Sequence, residues 1–385
     1  MDFRTTEAAT ELSALVRTIT EAVCTPEHQR RLDTLDQRFD RDLWRKLIDA
    51  DILSTAAPES LGGGGFGVIE QAAVLTALGR QLAAVPYLES VVLAAGALAK
   101  FGSEELRQQW AVPAVNGDKI LAVALDGEMG QGPVQVTGAA GPATSDTGAA
   151  GPATSDTGAA ATYRLTGSRT LVGYGPVADA FLVPAETDAG TRVFLVMATG
   201  PGVSVTALDT TGHGSVGHLE LQGAEVDAGR IVGDDQVVSW LTTRRALGET
   251  AIQLGVLERA LELTAEYARE REQFDRPIGS FQAVAQRLAD GYIDVKGLRL
   301  TLTQAVSRLA EDLPADIDVS TAAFWAADAG HRVAHTAVHV HGGVGIDLDH
   351  PVHRYFLAAK QTEFTIGGAT GQLRRIGREL ADTPA

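Results

Sequence analysis

At 385 residues and 45% apolar content, the chain is long enough to bury large cores in two or three domains, and a folded, soluble protein is expected. Its 32 basic residues stand against 49 acidic ones, a formal charge of −17, and such a field opposes binding to nucleic acid or to an anionic membrane surface. Cys24 is the single cysteine, which excludes an internal disulfide and any cysteine-rich zinc site.

The N-terminus MDFRTTEAATEL lacks the basic-then-apolar order of a signal peptide, and no run of about 20 uncharged apolar residues follows it. A cytoplasmic location is expected. Residues 1–115 read as helices: Leu43, Trp44, Leu47, Ile48 and Ile52 keep three-and-four spacing, and VIEQAAVLTALGRQLA resumes it after LGGGGFG. That glycine run has no strand before it and no Gly-Lys-Ser/Thr after it, so it does not read as a phosphate loop.

Over residues 116–235 the period changes to that of strands, in KILAVALD, TYRLTGSRTLVG, ADAFLVPAE, TRVFLVMA and GHLELQGAEV. A small antiparallel β domain is expected. Within it TGAAGPATSD occurs at 137–146 and again at 147–156, followed by TGAAA, and this composition buries so little apolar surface that 137–161 is expected to be a mobile loop without function. Deleting one copy should leave assembly and activity nearly unchanged, since halving a loop alters its closure entropy by only about 0.6 kcal/mol. A thermal midpoint lowered by more than about 3 °C would show that the insert packs against something.

Residues 236–385 read as helices again. Phe281, Val284, Leu288, Tyr292, Val295, Leu298, Leu302, Ala305 and Leu309 form one long apolar stripe, expected to be bundle core. Asp316 or Asp318 is the candidate cap of the next helix, which Gly342 and Gly343 end.

That last helix leads into HTAVHVHGGVGIDLDH, with His331, His335 and His339 at i, i+4 and i+8. A zinc hydrolase helix carries a glutamate between its paired histidines, whereas HRVAH and HTAVH have none, and no carboxylate stands at matching spacing. Two roles remain: packing histidines, or a helix end whose glycines let backbone N–H groups approach a bulky anionic ligand.

AEYAREREQFDRPIGSFQ at 265–282, HVHGGVG about sixty residues later and the helix–β–helix order together resemble the acyl-CoA dehydrogenase family of flavoenzymes. AAPESLGGGGFG, TGSRTLVGYGPVADAFLVPA, HGSVGHLELQGAEV and AAKQTEF extend the resemblance over nearly the whole chain. It implies an α+β fold with an N-terminal helical domain, a middle antiparallel β domain and a C-terminal four-helix bundle, assembled as dimers or pairs of dimers. It also implies FAD lying across a subunit interface. One subunit holds the flavin ring and supplies a glutamate base, and the neighbour's bundle holds the ADP end.

The resemblance assigns the second role to residues present here. Arg271 matches the arginine that meets the pyrophosphate, Phe274 the phenylalanine beside it, Ile278 and Phe281 the rest of that motif, and Gly342 and Gly343 the backbone cradle. His339 replaces a usual glutamine and can still donate a hydrogen bond. Asp275 replaces a usual glycine, which puts the turn there in question.

The first role looks lost. Where the family has tryptophan then Ile-Thr-Asn, this chain has Leu171, Val172, Gly173 and Tyr174; its LDGEMGQG stands in for a hydroxyl-bearing loop; and Gly368 in IGGATGQ, anchored by Gln372, stands at the glutamate position. An alternative base position in the family falls on Arg245, with Glu249 one turn later. The resemblance is therefore to the base-lacking subunit of an actinobacterial heteromeric acyl-CoA dehydrogenase acting on steroid side-chain thioesters. It implies a heterotetramer with a homologous catalytic subunit, an acyl-CoA substrate, and an electron-transfer flavoprotein or similar acceptor. The alternatives are a self-sufficient enzyme using Glu249 and a flavin-free structural subunit.

Overall fold

The computed structural model describes residue 3 and residues 5–127, 132–140, 162–212 and 214–382. Its first helices are α1 (Glu7–Val23), α2 (Pro26–Leu32), α3 (Arg41–Asp49), α4 (Ile52–Thr55) and α5 (Val68–Arg80). Thr6 caps α1 by accepting the Ala9 N–H at 3.0 Å, and its own hydroxyl donates to Glu70 at 2.7 Å. Glu70 in turn accepts the Gly67 N–H that begins α5, so one buried carboxylate serves two helix starts.

The glycine run before α5 is spent on its own chain. Gly63, Gly64 and Gly65 donate their N–H groups to the carbonyls of Pro58, Ser54 and Ala57, which leaves none of the three for a phosphate. A π-helical stretch (Tyr87–Ala95) then continues into α6 (Gly96–Phe101), and α7 (Glu104–Leu106) reaches α8 (Val112–Val115) through a π turn.

The strands are β1 (Leu121–Val123), β2 (Val134–Ala140), β3 (Thr162–Gly173), β4 (Ala180–Thr187), β5 (Gly190–Met197), β6 (Val203–Leu208), β7 (Val216–Asp227) and β8 (Ile231–Gly233). They form one sheet in the order β6-β7-β3-β2-β4-β5-β8, with β1 also beside β4. Most pairings are antiparallel, but β1 and β2 each run parallel to β4, a departure from the expected antiparallel domain. The alternation of side chains is the same in both ladders, so the pattern could not tell them apart. Phe181, Val183, Phe194, Leu165, Leu219 and Leu221 fill the core of this sheet. Its β2 continues to Ala140, pairing with Tyr163 and Thr162, so residues 137–140 of the expected loop are strand; the rest of that loop, 141–161, lies outside the described residues.

The last helices are α9 (Asp235–Glu270), α10 (Gln282–Ala310), α11 (Asp316–His341), α12 (Val352–Thr365) and α13 (Gly368–Asp382), with a two-stranded ribbon of β9 (Glu272–Gln273) and β10 (Arg276–Pro277) between α9 and α10. The C-terminal domain is thus helical, as expected, with five helices among the described residues. Among the described residues no helix is long and apolar enough to cross a membrane.

Packing divides the chain differently from periodicity. Residues 1–88, 209–214 and 243–385 form one compact unit, and 89–208 with 215–242 form the other. Glycines explain how the two helical ends share a unit. A Cβ on Gly255 would stand 2.0 Å from the Thr76 carbonyl oxygen, and one on Gly79 would stand 2.2 Å from that of Ile252, so α5 and α9 cross with their backbones in contact. Arg80 fastens the crossing to Glu258 at 3.0 Å and Glu262 at 2.8 Å.

Two expectations about the C-terminal helices need correction. In the α10 stripe Val295, Leu298, Leu302 and Ala305 are core, but Phe281, Val284, Leu288 and Leu309 are only half-buried and Tyr292 is 58% exposed. Helical spacing specifies a face, not that the same chain covers it. Nor do Asp316 and Asp318 cap α11: Ala315 holds the cap position without a side-chain bond, and Asp318 pairs with Arg308 at 2.9 Å.

Candidate functional site

The resemblance directs attention to the ends of α9 and α11. At the first, the Arg271 N–H donates to the Tyr267 carbonyl at 2.9 Å and continues the helix, while the Arg271 carbonyl accepts the Ile278 N–H at 2.8 Å. Between these bonds the β9–β10 hairpin closes on Phe274 and Asp275, with φ of +54° and +60°. A two-residue hairpin of this kind requires positive φ at both positions. Aspartate tolerates that conformation, so the turn keeps a glycine-like shape without the glycine. Phenylalanine adopts it less readily, and backbone strain is stored at Phe274.

The hairpin turns its side chains outward. Phe274 is 87% exposed and meets the Phe281 ring edge to face, at 6.1 Å between ring centroids. Arg276 lies over the Phe281 ring at 4.2 Å, and Ile278 is half-buried beneath. Arg271 is exposed, and among the described residues no group pairs with its guanidinium. A fork of donors so presented suits a diphosphate or carboxylate.

At the second end, α11 stops where its pattern predicts. Gly342 turns to φ +62°, ψ −135°, and its N–H still donates to the carbonyls of Val338 and His339. A Cβ at Gly342 or at Gly343 would meet nothing within 4 Å, so open space lies in front of this backbone. Gly345 is different: its Cβ would come 2.7 Å from the Val338 carbonyl oxygen, and it holds the turn against the helix. His339 is exposed at the rim. With the Gly342 N–H spent on α11, what these turns offer an ADP moiety is the open space before Gly342 and Gly343 and the exposed Arg271 guanidinium, and the residues present fit it on those grounds.

Beneath these groups lies a ring cluster that sequence reasoning left unassigned. His341 stacks on Tyr267 with centroids 4.4 Å apart and planes 24° apart, and His350 approaches His341 at 4.9 Å. Burial pulls the His341 pKa below its ordinary value, against the bond to the Ala337 carbonyl, and the neighbouring His350 lowers it further. The signal available in the sequence was the four-residue spacing from Tyr267 to Arg271, which puts both on one helix face. His331 and His335 stand apart from the cradle: His331 meets Lys360 at 3.0 Å and Glu363 at 3.4 Å, and His335 packs against Phe356 at 5.2 Å. Among the described residues no cluster of three or more ligating side chains is placed to hold a metal.

The positions where the resemblance puts a flavin ring and a base have their own geometry. Gly367 takes φ +83° and Gly368, the first residue of α13, φ +69°, a left-handed pair that a glutamate would adopt only under strain. Gln372 anchors this turn through its amide to the Ile366 carbonyl. In the sheet, Leu171 and Tyr174 have φ of +53°, and a Cβ at Gly173 would come 2.7 Å from Oε1 of Glu89, whose side chain occupies that space. Residues 128–131 of LDGEMGQG lie outside the described residues. Arg245 and Glu249 are half-buried on α9.

Comparison with known proteins gives the following. A family model described as "Acyl-CoA dehydrogenase, N-terminal domain" matches residues 6–118, and one described as "Acyl-CoA dehydrogenase, C-terminal domain" matches residues 233–381. The chain is 73% identical over the full length of both sequences to the acyl-CoA dehydrogenase FadE27 of Mycobacterium tuberculosis. Among solved structures it is similar to a chain of the ChsE4-ChsE5 complex from the same organism, with TM-score 0.93, 74% identity and full coverage of both chains. It is also similar to a chain in a variant of the Tcur3481-Tcur3483 steroid ACAD, with TM-score 0.86, 35% identity and 98% of each chain covered.

Proposed function

This chain belongs to the acyl-CoA dehydrogenase family, and on that premise we propose that it is the subunit of a heteromeric, FAD-dependent acyl-CoA dehydrogenase that completes the FAD site of a homologous catalytic partner without supplying the base. The reaction is α,β-desaturation of an acyl-CoA thioester. When bound, FAD supplies the acceptor for the β hydrogen; the partner's carboxylate takes the α proton.

This chain's own groups bind and orient. The Arg271 guanidinium would hold the pyrophosphate, Phe274 with Ile278 and Phe281 would supply apolar contacts, His339 would donate to phosphate or ribose, and Gly342 and Gly343 would leave room for the dinucleotide. Similarity to chains of two heteromeric assemblies, one described as a steroid ACAD, supports a heterotetramer and a steroid side-chain CoA thioester as substrate. An electron-transfer flavoprotein or similar protein would serve as the electron acceptor.

The observation that carries this reading is Gly368. A left-handed glycine occupies the position where the resemblance places the base, while Gly342 and Gly343, at the far end of α11, face open space. Purifying the chain alone and with its partner, and reading flavin absorbance against protein, tests it. The chain alone should hold little FAD and show no turnover; together the two should hold one FAD per heterodimer. Two FADs per heterodimer, or turnover by the lone chain that Glu249→Gln abolishes, would favour the self-sufficient enzyme. A complex without FAD would favour a purely structural subunit.

A further inference from the structure

Both groups assigned to the ADP end of FAD sit just beyond a helix C-terminus, where backbone order is usually weakest. Arg271 follows the last turn of α9, and Gly342 follows the last turn of α11. They are about seventy residues apart in sequence, and nothing in either turn by itself sets where one lies relative to the other.

The rings beneath them do. His341 immediately precedes Gly342 and is only 3% exposed. Tyr267 is one turn before Arg271, and its carbonyl accepts the Arg271 N–H. The two rings stack at 4.4 Å, joining the end of one helix to the end of the other. Resting on the function proposed above, we infer that His341 is a positioning residue: its stack on Tyr267 fixes the Gly342–Gly343 backbone relative to Arg271, so that one dinucleotide can engage both.

The bonding of the imidazole points the same way. Nδ1 faces the Ala337 carbonyl at 2.7 Å, so it carries the proton, and Nε2 is left buried with no hydrogen-bond partner among the described residues. The ring is therefore held by its faces and by one bond back into its own helix, and a ring without nitrogens can serve the stack equally well. Histidine chemistry is not what the position requires. A flat ring is.

The test measures FAD dissociation from the complex with its catalytic partner, by recovery of flavin fluorescence on dilution, with the thermal midpoint of the same preparations alongside. Expected is about a tenfold weakening for His341→Ala and less than about twofold for His341→Phe, the range of an aromatic pair. The double variant His341→Ala/Arg271→Ala should bind FAD no more weakly than Arg271→Ala alone, because the stack acts through the arginine. Multiplying effects in the double variant, or failure of phenylalanine to rescue, overturns the inference and leaves the proposed function standing. If Arg271→Ala alone retains FAD at full affinity, the proposed function itself fails. Should His341→Ala not assemble, Tyr267→Leu removes the stack from its other side and is read against the same two criteria.

Discussion

Arg271→Ala in the co-expressed complex is expected to weaken FAD retention about a hundredfold or more, since two charge-assisted hydrogen bonds to a pyrophosphate are together worth at least about 3 kcal/mol when desolvated. The size of the effect follows from the arginine's situation. It is exposed and, among the described residues, unpaired, so it surrenders no bond within its own chain when it meets a ligand. Arg271→Lys should recover only part of the loss, because an ammonium restores the charge but not the fork. Flavin should leave before chemistry changes: complex refilled with excess FAD should turn over at close to the wild-type rate. Glu249→Gln is the control, keeping size and hydrogen bonding while removing any basic function. Full FAD occupancy in Arg271→Ala together with lost turnover in Glu249→Gln would place an active site on this chain.

Gly343→Leu should separate ligand space from folding. The added Cβ meets no atom within 4 Å, so the thermal midpoint of the chain should stay within about 3 °C of wild type. FAD affinity should nevertheless fall about fivefold or more, as overpacking an occupied space costs roughly 1–3 kcal/mol. Gly342→Ala makes the comparison: its space is equally open, but φ +62°, ψ −135° carries a strain of about 1–3 kcal/mol for any side chain, so stability and affinity should drop together. If Gly343→Leu leaves FAD binding untouched, the open backbone is not the cradle.

The sequence made some of this legible and hid the rest for identifiable reasons. Helix–sheet–helix order followed from periods of 3.6 and 2, and the stop at Gly342 from a glycine after the last periodic residue. The union of both helical ends was hidden, because Gly79 and Gly255 look like ordinary interruptions until their helices are seen to cross. The Tyr267–His341 stack was hidden for a related reason: the histidines invite comparison with one another along the helix, whereas the partner that matters lies on α9. The Phe274–Asp275 turn shows the converse. The loss of a usual glycine suggested a changed shape, yet aspartate reaches the same region of backbone space.

Glu89 bears on how such a subunit evolves. A residue lost by drift can be regained by a single reversion only while the volume it vacated stays empty. At position 173, where the resemblance has a threonine, the volume has been taken: Oε1 of Glu89 lies 2.7 Å and its Cγ 3.1 Å from where a Cβ would stand. Threonine restored at 173 would have to turn the Glu89 side chain aside from the interaction it now makes. On the function proposed above, recovering a hydroxyl at 173 calls for a rearrangement of Glu89 as well as one substitution.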